Sequence, residues 1–301
     1  MVDSGGWYDG ATPLEELPVA VLDLETTGLR AFDGDAVIEI GVVAVDGFEV
    51  REERILSQLV DPGCPVSAAS LEVHGIPDDR LAGRPRFGHV LPSLREHLAS
   101  RALVGHNVGF DIGFLRMEMR RLGERPAPRT VLDTMMMARA VFDGRDGGNR
   151  GRGYGLDDVL GLTGVPLDGL RRHRAPDDAL LTARVYVALL ARLRDEGAHT
   201  LQDVQRRVAQ VTATSSRGSQ LPPGLLDAVL AALGERRPLA ITYGAPRSRG
   251  GGAGRRVTTT RREVVPVALR GLWLDAQCRL RGELRTFRLD RIRAFVPADE
   301  D

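Results

Sequence analysis

The sequence predicts two domains: first an α/β layer structure on a mixed central sheet, then a small β-rich unit. Three observations carry this. Apolar, β-branched runs come first; helical periodicities with one further short strand follow; and a Ser/Thr/Pro/Gly-rich stretch ends that pattern before short strands begin again. A chain of 301 residues is long enough to bury two cores.

The first strands are expected at residues 18–24, 36–45 and 48–60, with Asp46-Gly47 as the hairpin turn between the second and third. Residues 102–105 read as a short buried strand, and Phe110, Phe114 and Leu115 mark a helix face just beyond it. From Gly155 the pattern is helical, closing with the stretch from Asp177 to Leu193, where Leu180, Leu181, Val185 and Leu189 recur at helical spacing. The run from Thr212 to Gly224 has little to bury and is expected to be a linker. The boundaries that follow are a tail over 1–17, the α/β domain over 18–197, a helix remnant and flexible linker over 198–224, the β-rich domain over 225–297 and an acidic tail over 298–301. Within the second domain a helix at 225–233 precedes strands at 239–243, 263–269, 272–280 and 285–292, and the Gly-rich insertion 244–256 reads as a flexible basic loop.

Charge is balanced overall, with 41 basic and 41 acidic residues, yet the two parts differ in sign. Residues 201–301 hold 18 Arg against 10 acids, while residues 1–200 hold 23 against 31. Every basic residue is arginine, which forks well onto phosphate, although genome base composition also accounts for that usage. No apolar run approaches the ~18 residues of a membrane helix. Met1 to Gly10 lacks the basic-then-apolar order of a secretory signal. Cys64 and Cys278 fit no metal-ligand spacing, so a cytoplasmic protein with two free thiols is expected.

Three acidic segments point to chemistry. Asp23 and Glu25 interrupt an otherwise apolar strand, and residues two apart on a strand face the same way. Holding two like charges side by side is costly unless a divalent cation lies between them. In Val104-Gly-His-Asn-Val-Gly-Phe-Asp-Ile-Gly-Phe114, Asn107 is expected to cap a helix with Asp111 in its first turns. That junction is where α/β sheets place ligands. In His173-Arg-Ala-Pro-Asp-Asp-Ala179, Pro176 suits the start of a helix, with Asp177 and Asp178 in its first turn and His173 on the loop before it.

Taken in order, DLETTG, GHNVGFD and H-x-x-x-x-D resemble the three exonuclease motifs of the DnaQ-like DEDD superfamily in its histidine-bearing (DEDDh) branch, which includes proofreading epsilon subunits. Ile38-Glu-Ile-Gly41, Val73-His-Gly-Ile76 and Leu132-Asp-Thr134 support the match. The resemblance implies a ribonuclease H-like fold and a 3′→5′ exonuclease. In that family Asp23, Glu25, Asp111 and Asp178 correspond to the ligands of two divalent cations, Mg²⁺ or Mn²⁺, and His173 to the base that activates water. Thr26 and Thr27 would then sit beside the 3′-terminal nucleotide, and His106, Asn107 and Phe110 would line the groove for the strand. Phe110 can stack a base or pack with Phe114 at helical spacing. One departure is Pro176-Asp177, where the family usually has an apolar residue and a glycine; with two adjacent acids, the spacing from His173 favours Asp178.

Ile241-Thr-Tyr243, Val265-Pro266, Gly271-Leu-Trp-Leu-Asp-Ala276 and Arg285-Thr-Phe-Arg-Leu-Asp-Arg-Ile292 resemble a WYL domain, a small Sm/SH3-like barrel. The resemblance implies a nucleic-acid or nucleotide ligand, with Arg288 and Arg291 as anion contacts; equally, Asp290 can pair with either arginine inside the barrel. The expected function is cleavage at single-stranded DNA or RNA 3′ ends in repair, proofreading or turnover, with a DNA polymerase or repair complex as partner. The alternative is a nucleic-acid-binding regulator whose WYL-like domain senses a ligand.

Overall fold

The computed structural model describes residues 6–125, 129–143, 153–215, 221–244, 259–280 and 282–297. The chain divides into two compact units: 1–7 with 13–198, and 8–12 with 199–301.

In the first unit, β1 (Pro18–Thr26), β2 (Val37–Asp46), β3 (Glu49–Leu59), β4 (Ala102–Gly105) and β5 (Val131–Asp133) form one sheet in the order β3-β2-β1-β4-β5. β2 runs antiparallel to both β1 and β3, while β4 lies parallel to β1 and β5 parallel to β4, giving the expected mixed sheet. The hairpin pairs Asp46 with Glu49, so the turn is Gly47-Phe48, and Gly47 takes φ 60°, which glycine adopts without strain. β2 is buried along nearly its whole length, while β3 exposes Glu52, Glu53 and Arg54, the charged character that protects a sheet edge.

The helices are α1 (Ala68–His74), α2 (Asp78–Leu81), α3 (Phe87–Leu98), α4 (Gly109–Arg121), α5 (Thr134–Phe142), α6 (Leu156–Thr163) and α7 (Ala175–Asp195). α7 packs across β1 and β2, sinking Leu181, Val185, Tyr186 and Leu189 completely. Each such aliphatic side chain contributes roughly 1.5–3 kcal/mol of burial free energy. The helix starts so close to the sheet that a Cβ on Gly41 would lie 2.1 Å from the Ala175 carbonyl oxygen, so a glycine is required there. Leu14 and Leu17, just before β1, have no exposed surface and belong to this unit.

The second unit contains α8 (Leu201–Ser215), α9 (Leu225–Glu235), β6 (Leu239–Gly244), β7 (Thr259–Arg270), β8 (Trp273–Cys278), β9 (Glu283–Arg288) and β10 (Ile292–Pro297). The sheet order is β10-β6-β7-β8-β9, antiparallel throughout. Its core joins Leu225, Val229 and Leu230 to Ile241, Val264, Leu274, Phe287 and Ile292, with Ala209 of α8 packed among them. That packing carries helix through Thr212–Ser215, residues whose composition suggested linker, because Val208 and Ala209 bury one face of α8. The stretch 285–292, expected as one strand, is broken by a 3₁₀ turn at Leu289–Arg291 that starts β10. Most of the linker's remaining core (216–220), the greater part of the Gly-rich insertion and the tail 298–301 lie outside the described residues.

Candidate active site

Strand β1 delivers two acids at its carboxyl end. Asp23 and Glu25 project from one face and register against Gly41 and Glu39 of β2. α4 brings Asp111 in its first turn, 4% exposed, and the Asp111 Oδ1 accepts the Leu24 N–H at 3.1 Å. This bond ties the start of the helix to β1. α7 brings Asp178 in its first turn, and His173 stands exposed just ahead of it with φ 61°. A left-handed backbone is unusual for a residue other than glycine and recurs where a structure aims a functional side chain. The His173 N–H donates to Asp178 Oδ2 at 3.0 Å, which fixes that loop to the helix it precedes.

Among the described residues, Glu25, His173 and Asp178 offer ligand atoms that all lie within 4.8 Å of one another. Asp23 and Asp111 border this trio. Burial, then the carboxylates of Asp111, Asp178 and Glu25, push the Asp23 carboxyl well above the usual range. Burial raises Asp111 likewise, against the pull of the backbone N–H groups it accepts. Asp178 is raised by burial, which outweighs the Arg172 guanidinium and the His173 N–H. Glu25 is pushed up to about 8, by burial first and then by Asp178 and Glu39. Carboxylates so close cannot all ionise unaided, and an oxygen-rich donor set with one imidazole suits a hard divalent cation. The residues present therefore fit Mg²⁺ or Mn²⁺.

This has a consequence for stability. Unfolded, Glu25 titrates near 4.5; folded, near 8, so between those values the folded chain holds the extra proton and loses stability as pH rises. In EDTA the melting temperature should fall across that window, and Mn²⁺ should reverse the fall by replacing the proton. Scanning calorimetry with and without metal checks it; a flat profile in EDTA contradicts it.

Several residues that build the site were given no role by sequence reasoning. Glu39, 1% exposed, accepts from Arg174 Nε at 3.0 Å and Nη2 at 2.5 Å, and from the Ala175 N–H at 3.0 Å. It thus clamps both sides of the α7 start to β2. The available signal was a single charge inside the run Val37–Val45. Buried His74 of the VHGI segment accepts the Ile76 N–H at 3.0 Å through Nδ1; its pKa is lowered chiefly by burial. Asp133 accepts the N–H groups of Asn107 and Met135 at 3.1 and 3.0 Å, joining the GHN loop to α5. Arg172 pairs with Asp178 and, through Nε at 2.6 Å, with Asp157.

Thr26 and Thr27 are buried, and their hydroxyls are engaged within the loop, Thr26 donating to the Gly28 carbonyl at 2.6 Å and Thr27 to Asp35 at 3.2 Å. Both ring nitrogens of His106 are held, Nδ1 by the Thr134 hydroxyl and Nε2 by the Tyr154 carbonyl, each at 2.9 Å. Burial, the largest influence, lowers its pKa to about 4, so its ring is neutral at pH 7. Asn107 does not cap α4: it is exposed at φ 56°, and Val108 takes the cap position without a side-chain bond. Phe110 is half-buried with its ring 4.9 Å from that of the buried Phe114. Of the adjacent acids, Asp178 faces the cluster, while Asp177 accepts the Arg171 N–H at 3.0 Å. In the second unit Arg288 forms a bidentate pair with Asp290, at 3.0 and 2.7 Å, and lies 5.2 Å from the centroid of the half-exposed Trp273 ring. Arg291 sits part-buried in the 3₁₀ turn beside them.

Glu25, His173 and Asp178, with Asp23 and Asp111 acting on the same carboxyls, form an acid-lined centre at the end of a central strand of a mixed sheet that could hold a metal ion. The chain belongs to the exonuclease (RNase_T) family, whose model matches residues 20–186, and residues 224–297 match the WYL domain. It is 34% identical over 198 residues to a DNA polymerase III subunit epsilon-like protein of Rhodobacter capsulatus, covering 65% of this chain but spanning only 27% of that relative's length. It is 30% identical over 213 residues to the DNA polymerase III subunit epsilon of Treponema pallidum, covering 68% of this chain and 94% of that one. Among solved structures, E. coli exonuclease I in complex with a dA16 oligonucleotide aligns with TM-score 0.53 and 15% identity, covering 87% of this chain and 55% of that one, a likeness of fold alone.

Proposed function

We propose that the N-terminal domain is a divalent-cation-dependent exonuclease that removes nucleotides from the 3′ end of single-stranded DNA or RNA. The observation that carries this reading is the convergence of Glu25, His173 and Asp178 beside Asp23 and Asp111, whose carboxyls burial and neighbouring acids push well above the usual range. Asp23, Glu25, Asp111 and Asp178 would hold two cations, which when bound supply charge neutralisation at the phosphate and water activation. His173, exposed and free to meet solvent, takes the proton from the attacking water at a ring nitrogen. The Leu24 N–H bond to Asp111 and the Glu39 clamp keep the acids aimed before substrate arrives.

The names of the epsilon relatives suggest a DNA polymerase as partner, and a repair complex fits the same chemistry. For the WYL domain we favour a nucleotide or nucleic-acid ligand, supported by the half-exposed Trp273 with Arg288 beside it and Arg291 nearby. No helix among the described residues is long and apolar enough to cross a membrane, and a cytoplasmic location suits the two free cysteines.

The test uses 5′-labelled DNA and RNA oligomers, single-stranded and duplex, with wild type and Asp111→Ala in Mn²⁺. A ladder shortening stepwise from the 3′ end, lost in EDTA and in the variant, is expected. Internal cuts, or shortening indifferent to metal, would overturn the reading; binding without cleavage would instead favour a regulatory nucleic-acid-binding protein.

A further inference from the structure

We propose that Arg172 is a resident counter-cation that competes with the divalent cation for Asp178, so that metal loading at the His173 loop requires the guanidinium to let go. The inference rests on the cation-dependent reading above. The Asp178 oxygens meet the chain differently: Oδ2 takes the His173 N–H at 3.0 Å, while Oδ1 has no hydrogen-bond partner and lies in ion-pair contact with the Arg172 guanidinium. Arg172 is only 18% exposed and is anchored on its other side by Asp157, through Nε at 2.6 Å. It therefore stands at the edge of the acid cluster without being free to drift off, and its positive charge reaches Asp23 and Glu25 as well as Asp178.

The charge arithmetic gives the arginine its effect. A cation entering between Glu25, His173 and Asp178 meets a site in which one positive charge is already present, and it must share Asp178 with that charge. A carboxylate oxygen has lone pairs enough for two partners, but two cations on one carboxylate repel each other. Asp157 offers the guanidinium a second acceptor, so Arg172 can yield Asp178 without being left unpaired. Arg172 is thus a positioning residue for Asp178 that also sets how tightly the site takes metal. Arginine suits this task because it stays charged at every working pH, so the competition does not titrate away.

The measurement is Mn²⁺ binding by isothermal calorimetry to the full chain without oligonucleotide. Arg172→Gln should bind at least about tenfold more tightly than wild type, equivalent to about 1.4 kcal/mol, while Arg172→Lys, which keeps the charge, should stay near wild type. Affinity in Arg172→Gln that is unchanged or weaker overturns the proposal, and so does equal tightening in both variants. A second readout needs no variant: phenylglyoxal labelling mapped by peptide mass spectrometry should reach Arg172 several-fold faster in Mn²⁺ than in EDTA, and equal rates overturn it. A wild type that binds Mn²⁺ and shortens oligonucleotides while these comparisons fail keeps the nuclease reading and loses only the competition. A wild type that binds no Mn²⁺ and cuts nothing loses both.

Discussion

His173→Ala is expected to lower turnover by about 10²–10⁴-fold while the protein stays folded, the range over which a positioned general base acts. The side chain is exposed and lies outside the helix, so its removal opens no cavity. The anchoring bond from residue 173 to Asp178 is made by the backbone N–H and survives the substitution. Alanine keeps the left-handed φ of 61° at a strain close to that of histidine, which makes it a fairer probe than a β-branched residue. Because His173 also lies within ligand distance of Glu25 and Asp178, the experiment needs a second axis. A base lost from the mechanism lowers kcat and leaves Mn²⁺ affinity in place; a ligand lost from the site weakens Mn²⁺ binding first. Wild-type turnover in the variant would remove histidine from the chemistry altogether.

Glu39→Ala carries the largest expected effect on stability. Glu39 has 1% exposure and receives three N–H donors, two from Arg174 and one from Ala175. Removing it leaves a largely buried guanidinium and a buried backbone donor without their acceptor. Breaking one partner out of such a pair costs about 3–5 kcal/mol, and the retained edge of Arg174 toward water argues for the lower half of that range. Glu39→Gln should lose less, since its amide oxygen can still accept the Ala175 N–H. Urea unfolding in EDTA gives the number; a loss under about 1 kcal/mol, the scale of an exposed ion pair, would show that the clamp does not hold α7. The function should follow, because Glu39 sits behind the start of the helix that aims His173 and Asp178. Outer partners of metal ligands are worth about 10–100-fold in metal affinity or activity, so the variant should need correspondingly more Mn²⁺.

Much of the fold is legible in residue order. The alternation and β-branching of 18–60 mark three strands because a half- or fully buried strand admits little else, and Gly47 marks their turn because few residues accept its φ. Other features resist reading for a physical reason. α8 runs through Thr212–Ser215 because Ala209 and its neighbours pack on α9 and β7, a tertiary gain that outweighs weak local propensity. The break at Leu289–Arg291 is hidden inside an apolar run, since Leu289 and Ile292 are both core residues whichever element holds them. Thr26, Thr27 and His106 are polar residues near the acids in sequence, and the partners of their polar atoms, Gly28, Asp35, Thr134 and Tyr154, are set by the fold and not by any local pattern.

What the sequence determined by itself is the chemistry present: strands bearing Asp23 and Glu25 two apart, a helix start at Asp111, and a histidine five residues before Asp178. Local periodicity and side-chain type suffice for that, because they act over a few residues. What the tertiary structure decided is which groups meet: Asp178 rather than Asp177 in the cluster, Arg172 on its free oxygen, and Glu39 bound to Arg174 across 135 residues of chain. Such pairings depend on how α7 docks on β2, where Gly41 lets the backbones touch, and no local pattern encodes a distance between segments that only packing brings together.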